Sequence, residues 1–278
     1  MRLGSFLHRG RRFPGRVEGP RVIDLSQKGR FQDLGQVLAA GLWPGDLEGG
    51  PEVPRSEAVP LAPVPLPPKI VAVGLNYADH AREQGRTAPP EPIFFAKART
   101  SVIGPEEPIL LPPWSRHTDV EVELVVVMGR RAARVPAARA LEHVLGFTVG
   151  NDVSERRIQK EDGQFYRAKS YRTFASTGPL VVTPEAFDHR SAPLRLRLNG
   201  RLQQDSCTGQ MCHTVEKLVE ILSSVHDLEP GDLIFTGTPA GVGVFRQPRV
   251  FLQEGDVVEC EIEGIGVLRN PVQRAREV

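Results

Sequence analysis

DVEVELVVVMG, residues 119–129, decides the fold, because it joins an acidic segment to a buried strand. Its valines are β-branched and its first acidic residues alternate with apolar ones, which predicts a β-strand. Side chains two apart on a strand point to the same face, so Glu121 and Glu123 are predicted to lie side by side, with Asp119 on that face. The following run VVVM is apolar on both faces, as in a deeply buried strand. Two negative charges are therefore predicted side by side at the start of a buried strand.

The length and charge of the chain exclude several classes of protein. Its 278 residues fit one large domain, or a domain with a small appendage, around a sizeable core. The 35 basic and 34 acidic residues leave a formal charge of +1, so no basic surface for nucleic acid is indicated. No apolar run approaches the roughly 20 residues of a membrane span, so no membrane partner is expected.

The cysteines and the first residues bear on cellular location. Three cysteines without a CxxC pair argue against a disulfide scaffold and favour a reducing compartment. The Arg-rich start MRLGSFLHRGRRFPGRVEG lacks the apolar segment of a secretory signal. A mitochondrial presequence is the alternative, but RVEGPRVIDL already predicts a hairpin and strand. We therefore expect a cytoplasmic protein.

Proline and glycine divide the chain into two regions. Residues 44–69 are rich in both, and the repeated prolines forbid a helix there and favour extended chain. The sequence therefore predicts a small N-terminal domain with its linker over residues 1–65 and a main domain over residues 66–278.

Predicted strands outnumber predicted helices. Apolar residues at helical spacing predict helices over 31–42, 78–85 and 135–147, and an amphipathic helix in TVEKLVEILSSVHDL with Val225 on its apolar stripe. Runs such as KIVAVGLNY, PIFFAKARTSVIG, GPLVVTP and LRLRLNGRLQ predict strands. The pattern indicates a mixed α/β, β-rich fold and not a doubly wound parallel sheet.

Three explanations compete for the paired glutamates. They can form a solvated strand face, pair with arginines, or bind a metal ion. Two carboxylates held together repel, and one is forced neutral unless a cation compensates. A hard divalent cation fits an oxygen-only site, and Asp152, which follows another predicted strand, is the candidate third ligand. An ExE pair is a weak pattern by itself, so the residues leave all three explanations open.

Two further segments carry candidate chemistry. His80 and Glu83 share a face of a predicted helix, and a carboxylate beside an imidazole orients it as a general base; an ordinary surface ion pair is the alternative. TGTPAGVG, residues 236–243, is a glycine-rich turn whose backbone N–H groups can approach an anion, or merely a tight loop. It lacks the GK[ST] of a Walker loop.

Taken in order, these segments resemble one family. GLNYADHAREQG, the ExE strand, NDVS, AKSY and TGTPAGVG resemble the fumarylacetoacetate hydrolase superfamily over most of the chain, from about Lys69 to Val272. GVGVFRQPRVFLQEGDVVECEIEGIGVLRN is especially similar to the branch that includes oxaloacetate tautomerases. The resemblance implies a mixed β-sandwich roll, usually dimeric or larger, so a homodimer is expected.

The resemblance also implies roles for matching residues. Glu121, Glu123 and Asp152 match ligands of Mg²⁺ or Mn²⁺, with water or substrate completing the octahedron. His80 and Glu83 match a dyad carried on a lid that orders over the substrate. Lys169 matches the lysine that faces the substrate. Gln159 and Arg156 match two polar positions near the metal. Thr238 matches the loop residue that meets the substrate's carboxylate or oxo group.

The implied function is divalent-metal-dependent chemistry on small 2-oxo acids through a metal-chelated enolate. Oxaloacetate keto–enol tautomerisation is the first hypothesis. C–C bond hydrolysis of acylpyruvates or fumarylacetoacetate-like acids, oxaloacetate decarboxylation, and a catalytically silent binding paralogue are the alternatives. One segment departs from the family pattern: Cys212 and His213 stand where apolar residues are usual, and a zinc site with Cys207 is conceivable there, although a fourth ligand is missing.

Overall fold

The computed structural model describes residues 1–276, in which strands predominate and confirm the predicted mixed α/β, β-rich fold. The strands are β1 (Arg2–His8), β2 (Arg11–Glu18), β3 (Arg21–Asp24), β4 (Glu52–Pro54), β5 (Val59–Leu61), β6 (Ile70–Gly74), β7 (Ile93–Lys97), β8 (Val102–Ile103), β9 (Ile109–Leu111), β10 (Thr118–Asp119), β11 (Val122–Met128), β12 (Val144–Asp152), β13 (Ser154–Glu155), β14 (Ala175–Val182), β15 (Pro193–Leu198), β16 (Arg201–Cys207), β17 (Leu233–Phe235), β18 (Val257–Ile262) and β19 (Gly266–Arg274). The α-helices are α1 (Leu34–Ala39), α2 (Ala78–Glu83), α3 (Arg156–Asp162), α4 (Tyr166–Lys169) and α5 (Val215–Val225).

Two sheets and a short strand pair organise these elements. Twelve strands form one mixed sheet in the order β4-β3-β2-β1-β14-β12-β11-β17-β6-β7, with β5 beside β1 and β8 beside β14. Five strands form a second sheet in the order β16-β15-β18-β19-β9, and β10 pairs with β13. One apolar cluster joins the sheets, since Leu124 and Val126 of the large sheet pack in it with Leu196 and Val258 of the smaller one.

The strands β11 and β12 lie at the centre of the large sheet, and all their residues are buried. They run antiparallel, with Glu123 opposite Gly150. Val125 and Val127 face one apolar cluster, and Val126 faces the other. Because apolar layers cover both faces, this part of the sequence shows no polar alternation. The predicted deeply buried strand is confirmed.

The N-terminal segment contributes strands β1 to β5 to the large sheet. The predicted hairpin is present, because β2 pairs with β3 around a turn at Gly19. Strand β1 continues the sheet by pairing with β14, where Leu3 lies opposite Val181. The division of the chain into a domain over 1–65 and another over 66–278 stays a prediction.

The helix predicted over 135–147 is wrong. The chain forms a 3₁₀ helix at Ala137–His143, and strand β12 begins directly after it at Val144. Val144 lies opposite Met128 in the central strand pair. Pairing with β11 and burial between two apolar layers therefore override the local helical spacing.

The other predicted helices are present but shorter than predicted, at Leu34–Ala39 and Ala78–Glu83. Helix α5 buries Leu218 and Leu222, but Val225, predicted on the same stripe, is 73% exposed because the helix ends there beyond the core. No helix within residues 1–276 is long and apolar enough to cross a membrane.

Candidate active site

Three buried carboxylates meet at the end of the central strand pair. Glu121 directly precedes β11, Glu123 lies within it, and Asp152 ends β12. One carboxylate oxygen from each of the three lies within 4.8 Å of the others. The antiparallel register brings the end of β12 beside the start of β11, because the Asp152 N–H donates to the Glu121 carbonyl at 2.9 Å. The structure thus brings together the three residues predicted as metal ligands.

Buried cations surround two of these carboxylates. The Lys169 Nζ contacts Glu121 Oε2 at 2.5 Å and also the carboxylate of Asp152. Arg156 donates to Glu121 Oε1 at 2.6 Å. Lys97 ion-pairs with Asp152 and also donates to the Lys169 carbonyl at 2.6 Å. Glu121 and Asp152 are therefore stabilised as anions at the bottom of the site.

The third carboxylate, Glu123, forms no ion pair with any residue that the structure describes. The one hydrogen bond that the described residues give its side chain comes from the Gly237 N–H to Oε2, at 2.8 Å. Burial, followed by repulsion from Asp152 and Glu121, raises the pKa of Glu123 well above its usual range. In Glu121 burial works in the same direction, but Arg156 and Lys169 outweigh it and hold the pKa below its usual range. The pKa values of Glu121 and Glu123 are therefore shifted in opposite directions.

The donor set at this point fits a hard divalent cation. All three side chains supply oxygen, which Mg²⁺ and Mn²⁺ prefer, and all are buried. Glu123 retains an oxygen that accepts no hydrogen bond from the described residues, and no cation among them forms an ion pair with it. Among the described residues this is the one group of three metal-ligating side chains, so the alternative of a zinc site at Cys207, Cys212 and His213 gains no support.

Lys97 is a site residue that the sequence analysis missed. It lies at the end of β7, its side chain is fully buried, and burial lowers its pKa against the opposing effect of Asp152. The only available signal was its scarcity, since it is one of six lysines in the chain and stands in the apolar run FFAKA. Its partner comes from β12, 55 residues away, and no local pattern encodes that contact.

Asp119 is buried but is not one of the three clustered carboxylates, and its predicted place on the same face as the two glutamates stays a prediction. Its carboxylate accepts hydrogen bonds from the Gly243 and Val244 N–H groups at 3.1 and 3.0 Å. Arg156 Nε also donates to it, at 3.0 Å. Asp119 therefore fixes the glycine-rich loop and holds the arginine that reaches Glu121.

The predicted dyad is formed within helix α2. His80 Nδ1 lies 3.0 Å from Glu83 Oε2, and Glu83 Oε1 accepts from the Gly241 N–H at 2.8 Å. His80 is 6% exposed, so the pair is not an ordinary surface ion pair. The Phe245 ring packs edge-on against the imidazole, with centroids 5.7 Å apart. The glycine-rich loop thus orients the dyad.

A cavity of about 570 Å³ connects these groups. Of the predicted site residues, its lining includes His80, Glu121, Glu123, Asp152, Arg156, Gln159, Lys169 and Thr238. Gln159 accepts from Arg156 at 2.9 Å, and Thr238 bonds the Val122 carbonyl at 2.9 Å and the Gln204 amide at 2.8 Å. Phe95, Phe165 and Phe251 also line the cavity, and the Lys169 Nζ lies 5.3 Å from the centroid of the Phe95 ring. Such a concave site suits a small anionic ligand.

The sequence of the chain is similar to a known family and to named proteins over most of its length. The family model "Fumarylacetoacetate (FAA) hydrolase C-terminal" matches residues 69–273. Oxaloacetate tautomerase FAHD2B, mitochondrial, of Bos taurus is 48% identical over 225 residues, which is 80% of this chain and 72% of the relative. Human oxaloacetate tautomerase FAHD2A, mitochondrial, is 45% identical with the same coverage.

Solved structures extend the similarity to the whole chain. Fumarylacetoacetate hydrolase from Exiguobacterium antarcticum is 36% identical, with a TM-score of 0.89, and the match covers 99% of this chain and 100% of that one. 5-Carboxymethyl-2-hydroxymuconate delta-isomerase from Mycobacterium smegmatis is 39% identical, with a TM-score of 0.84 and full coverage of both chains.

Proposed function

The chain belongs to the fumarylacetoacetate hydrolase family, and from that membership we propose that it is a metal-dependent keto–enol tautomerase of oxaloacetate. Relatives that share 45–48% identity over 80% of this chain carry the name oxaloacetate tautomerase. The observation that carries the proposal is the buried triad of Glu121, Glu123 and Asp152 with the Lys169 ammonium beside it. This arrangement suits a substrate that develops negative charge on an oxygen while a proton moves at the adjacent carbon.

The triad would hold the Mg²⁺ or Mn²⁺ ion, which when bound supplies a Lewis acid for the negative charge on the 2-oxo oxygen. Lys169, fixed by Glu121 and Asp152, faces the cavity and would exchange the proton with the carbon next to the oxo group. Arg156 is held by Asp119 and Glu121, and with Gln159 it would orient a substrate carboxylate. Tautomerisation needs no activated water, so the dyad is not required for this reaction.

The test is the ultraviolet decay of freshly dissolved enol-oxaloacetate with purified protein, in Mg²⁺ and then in EDTA. Fast, metal-dependent loss of the enol absorbance without pyruvate formation is the expected result. Enol decay no faster than in buffer alone would refute the proposed tautomerase activity. Equal decay in Mg²⁺ and in EDTA would support tautomerase activity but refute its dependence on a metal.

C–C bond hydrolysis is the second candidate, and the intact dyad favours it. His80 is oriented by Glu83, and a positioned imidazole next to a cavity is the arrangement that a general base for water requires. The cavity also has room for acids longer than oxaloacetate. Pyruvate release from an acylpyruvate measures this activity, and pyruvate release from oxaloacetate measures decarboxylation. A catalytically silent paralogue would show none of the three reactions.

Assembly as a homodimer and a cytoplasmic location are parts of the same proposal. Light scattering after size exclusion tests the first, and fractionation of cells that express the protein tests the second. The vertebrate relatives are named as mitochondrial, so recovery of the protein in an organelle fraction would overturn the cytoplasmic assignment.

A further inference from the structure

Both ring nitrogens of His80 have partners in the structure. Nδ1 lies 3.0 Å from Glu83, and Nε2 lies 2.9 Å from the side-chain amide nitrogen of Gln84. His80 and Gln84 are four residues apart at the end of helix α2, so their side chains lie on the same face. Gln84 also lines the cavity. The contact between His80 Nε2 and Gln84 is separate from the His80–Glu83 dyad and is not needed to orient it.

The partners of the imidazole determine its tautomer. Glu83 presents a carboxylate whose other oxygen already accepts from the Gly241 N–H, so it accepts at both oxygens. The Nδ1 of neutral His80 therefore carries the proton and donates it to Glu83, which leaves Nε2 with a lone pair. The Gln84 amide donates to that lone pair. The nitrogen that a general base would use is thus already occupied.

We propose that Gln84 withholds His80 from water and thereby favours tautomerisation over C–C hydrolysis in this cavity. The inference rests on the proposed function, since it explains how one site selects between two reactions. Gln84 acts through His80 and is a positioning residue.

Hydrolysis of an acylpyruvate requires the Nε2 lone pair. The water oxygen bonds to the acyl carbonyl carbon, and a water proton passes to His80 Nε2. The C=O bond of the new carboxylic acid then forms as the C–C bond to the methylene group breaks; the electron pair remains on the methylene carbon, which takes the proton from His80 Nε2 to give pyruvate and regenerate the neutral imidazole. Proton exchange by Lys169 on an enol does not pass through Nε2. The Gln84 hydrogen bond must therefore break for hydrolysis but not for tautomerisation.

The experiment compares both reactions in Gln84→Met, which keeps the side-chain length and removes the amide. Its readout is the ratio of kcat/KM for acetylpyruvate hydrolysis to kcat/KM for enol-oxaloacetate tautomerisation. One hydrogen bond of ordinary strength corresponds to about a tenfold change, so the ratio should rise by roughly threefold to tenfold. Gln84→Ala should raise it in the same direction and serves as a second variant if the methionine protein folds poorly by circular dichroism.

Two controls connect the effect to His80. Gln253→Met makes the same chemical change at an exposed position and should leave the ratio unchanged. In the double variant His80→Ala with Gln84→Met, the gain in hydrolysis should disappear.

An unchanged or lower ratio in both Gln84 variants would overturn the inference, as would the absence of hydrolysis from the wild type and both variants. A gain that survives in the His80→Ala background would overturn it as well. A wild-type protein without tautomerase activity would instead overturn the proposed function, so the two failures are distinguishable.

Discussion

Replacement of Glu123 by glutamine should abolish tight metal binding without unfolding the protein. Four buried carboxylates, those of Asp119, Glu121, Glu123 and Asp152, face the three cations of Lys97, Arg156 and Lys169. Four carboxylates against three cations leave Glu123 without a contacting cation, and burial with repulsion from Asp152 and Glu121 raises its pKa. A divalent cation would stabilise the ionised form of Glu123, and Glu123→Gln removes that charged ligand with little change in shape.

The expected size follows from the role of a direct ligand. Changes to groups that only support a ligand cost about 10–100-fold in metal affinity, so loss of a charged ligand should cost about 100-fold or more. Calorimetric titration of EDTA-treated protein with Mg²⁺, and separately with Mn²⁺, measures this effect. Glu161→Gln, on the exposed side of helix α3, is the matched control and should bind as the wild type does. An affinity of Glu123→Gln within about threefold of the wild type would refute the assignment of this residue as a ligand.

The same substitution should change how stability depends on pH in the metal-free protein. The pKa of Glu123 in the folded state lies well above its ordinary value of 4.5, so the folded chain binds more protons than the unfolded chain between the two values. The contribution of Glu123 to the free energy of unfolding is therefore fully present below about pH 4.5, and it is lost as pH rises through the folded-state pKa. Urea unfolding in EDTA at pH 5 and pH 8 should show that Glu123→Gln gains stability relative to the wild type at the higher pH. A gain that is equal at both pH values would contradict the raised pKa.

Three other substitutions test separate parts of the structure. His80→Ala should lower acylpyruvate hydrolysis by about 100-fold or more, and far more than it lowers tautomerisation; equal effects on the two rates would argue that the dyad acts in both reactions or in neither. Lys97→Met leaves Asp152 without one of its buried cations and should destabilise the metal-free protein by about 3–5 kcal/mol in urea unfolding, and a loss under about 1 kcal/mol would show that Lys169 suffices. Leu124→Ala opens the core between the two sheets and should cost about 2–5 kcal/mol in the same assay, whereas a near-neutral result would mean that the core there relaxes freely.

The sequence predicted the parts of the site that local patterns encode. Glu121 and Glu123 stand out because charges rarely precede a run that is apolar on both faces, and the structure places them beside Asp152. His80 and Glu83 could be paired because helical spacing brings residues three apart together. The resemblance to a family added Lys169, Arg156, Gln159 and Thr238, which all line the cavity.

What the sequence did not predict depends on contacts between distant strands. Lys97 and Asp152 are 55 residues apart and lie at the ends of two strands, β7 and β12, that are not neighbours in the sheet, so an apolar run that contains one lysine carries no sign of that partner. The helix predicted over 135–147 failed for the same reason, since Val144 and its neighbours pair with β11. The strand was predicted to run without a break from Asp119 onward, whereas β10 ends at Asp119 and β11 begins at Val122.

The interruption of the strand also bears on how the backbone of Glu121 is held. On a continuous strand its N–H and carbonyl would both pair with the backbone of the neighbouring strand. Here Glu121 lies outside β11, where the Asn151 side chain accepts from its N–H at 3.0 Å and the Asp152 N–H donates to its carbonyl at 2.9 Å. An asparagine side chain therefore replaces the ladder partner and sets the position of the first carboxylate. Asn151→Ala should consequently weaken metal binding although residue 151 is not itself one of the proposed ligands, and unchanged affinity in a folded variant would show that the strand ends alone hold Glu121 in place.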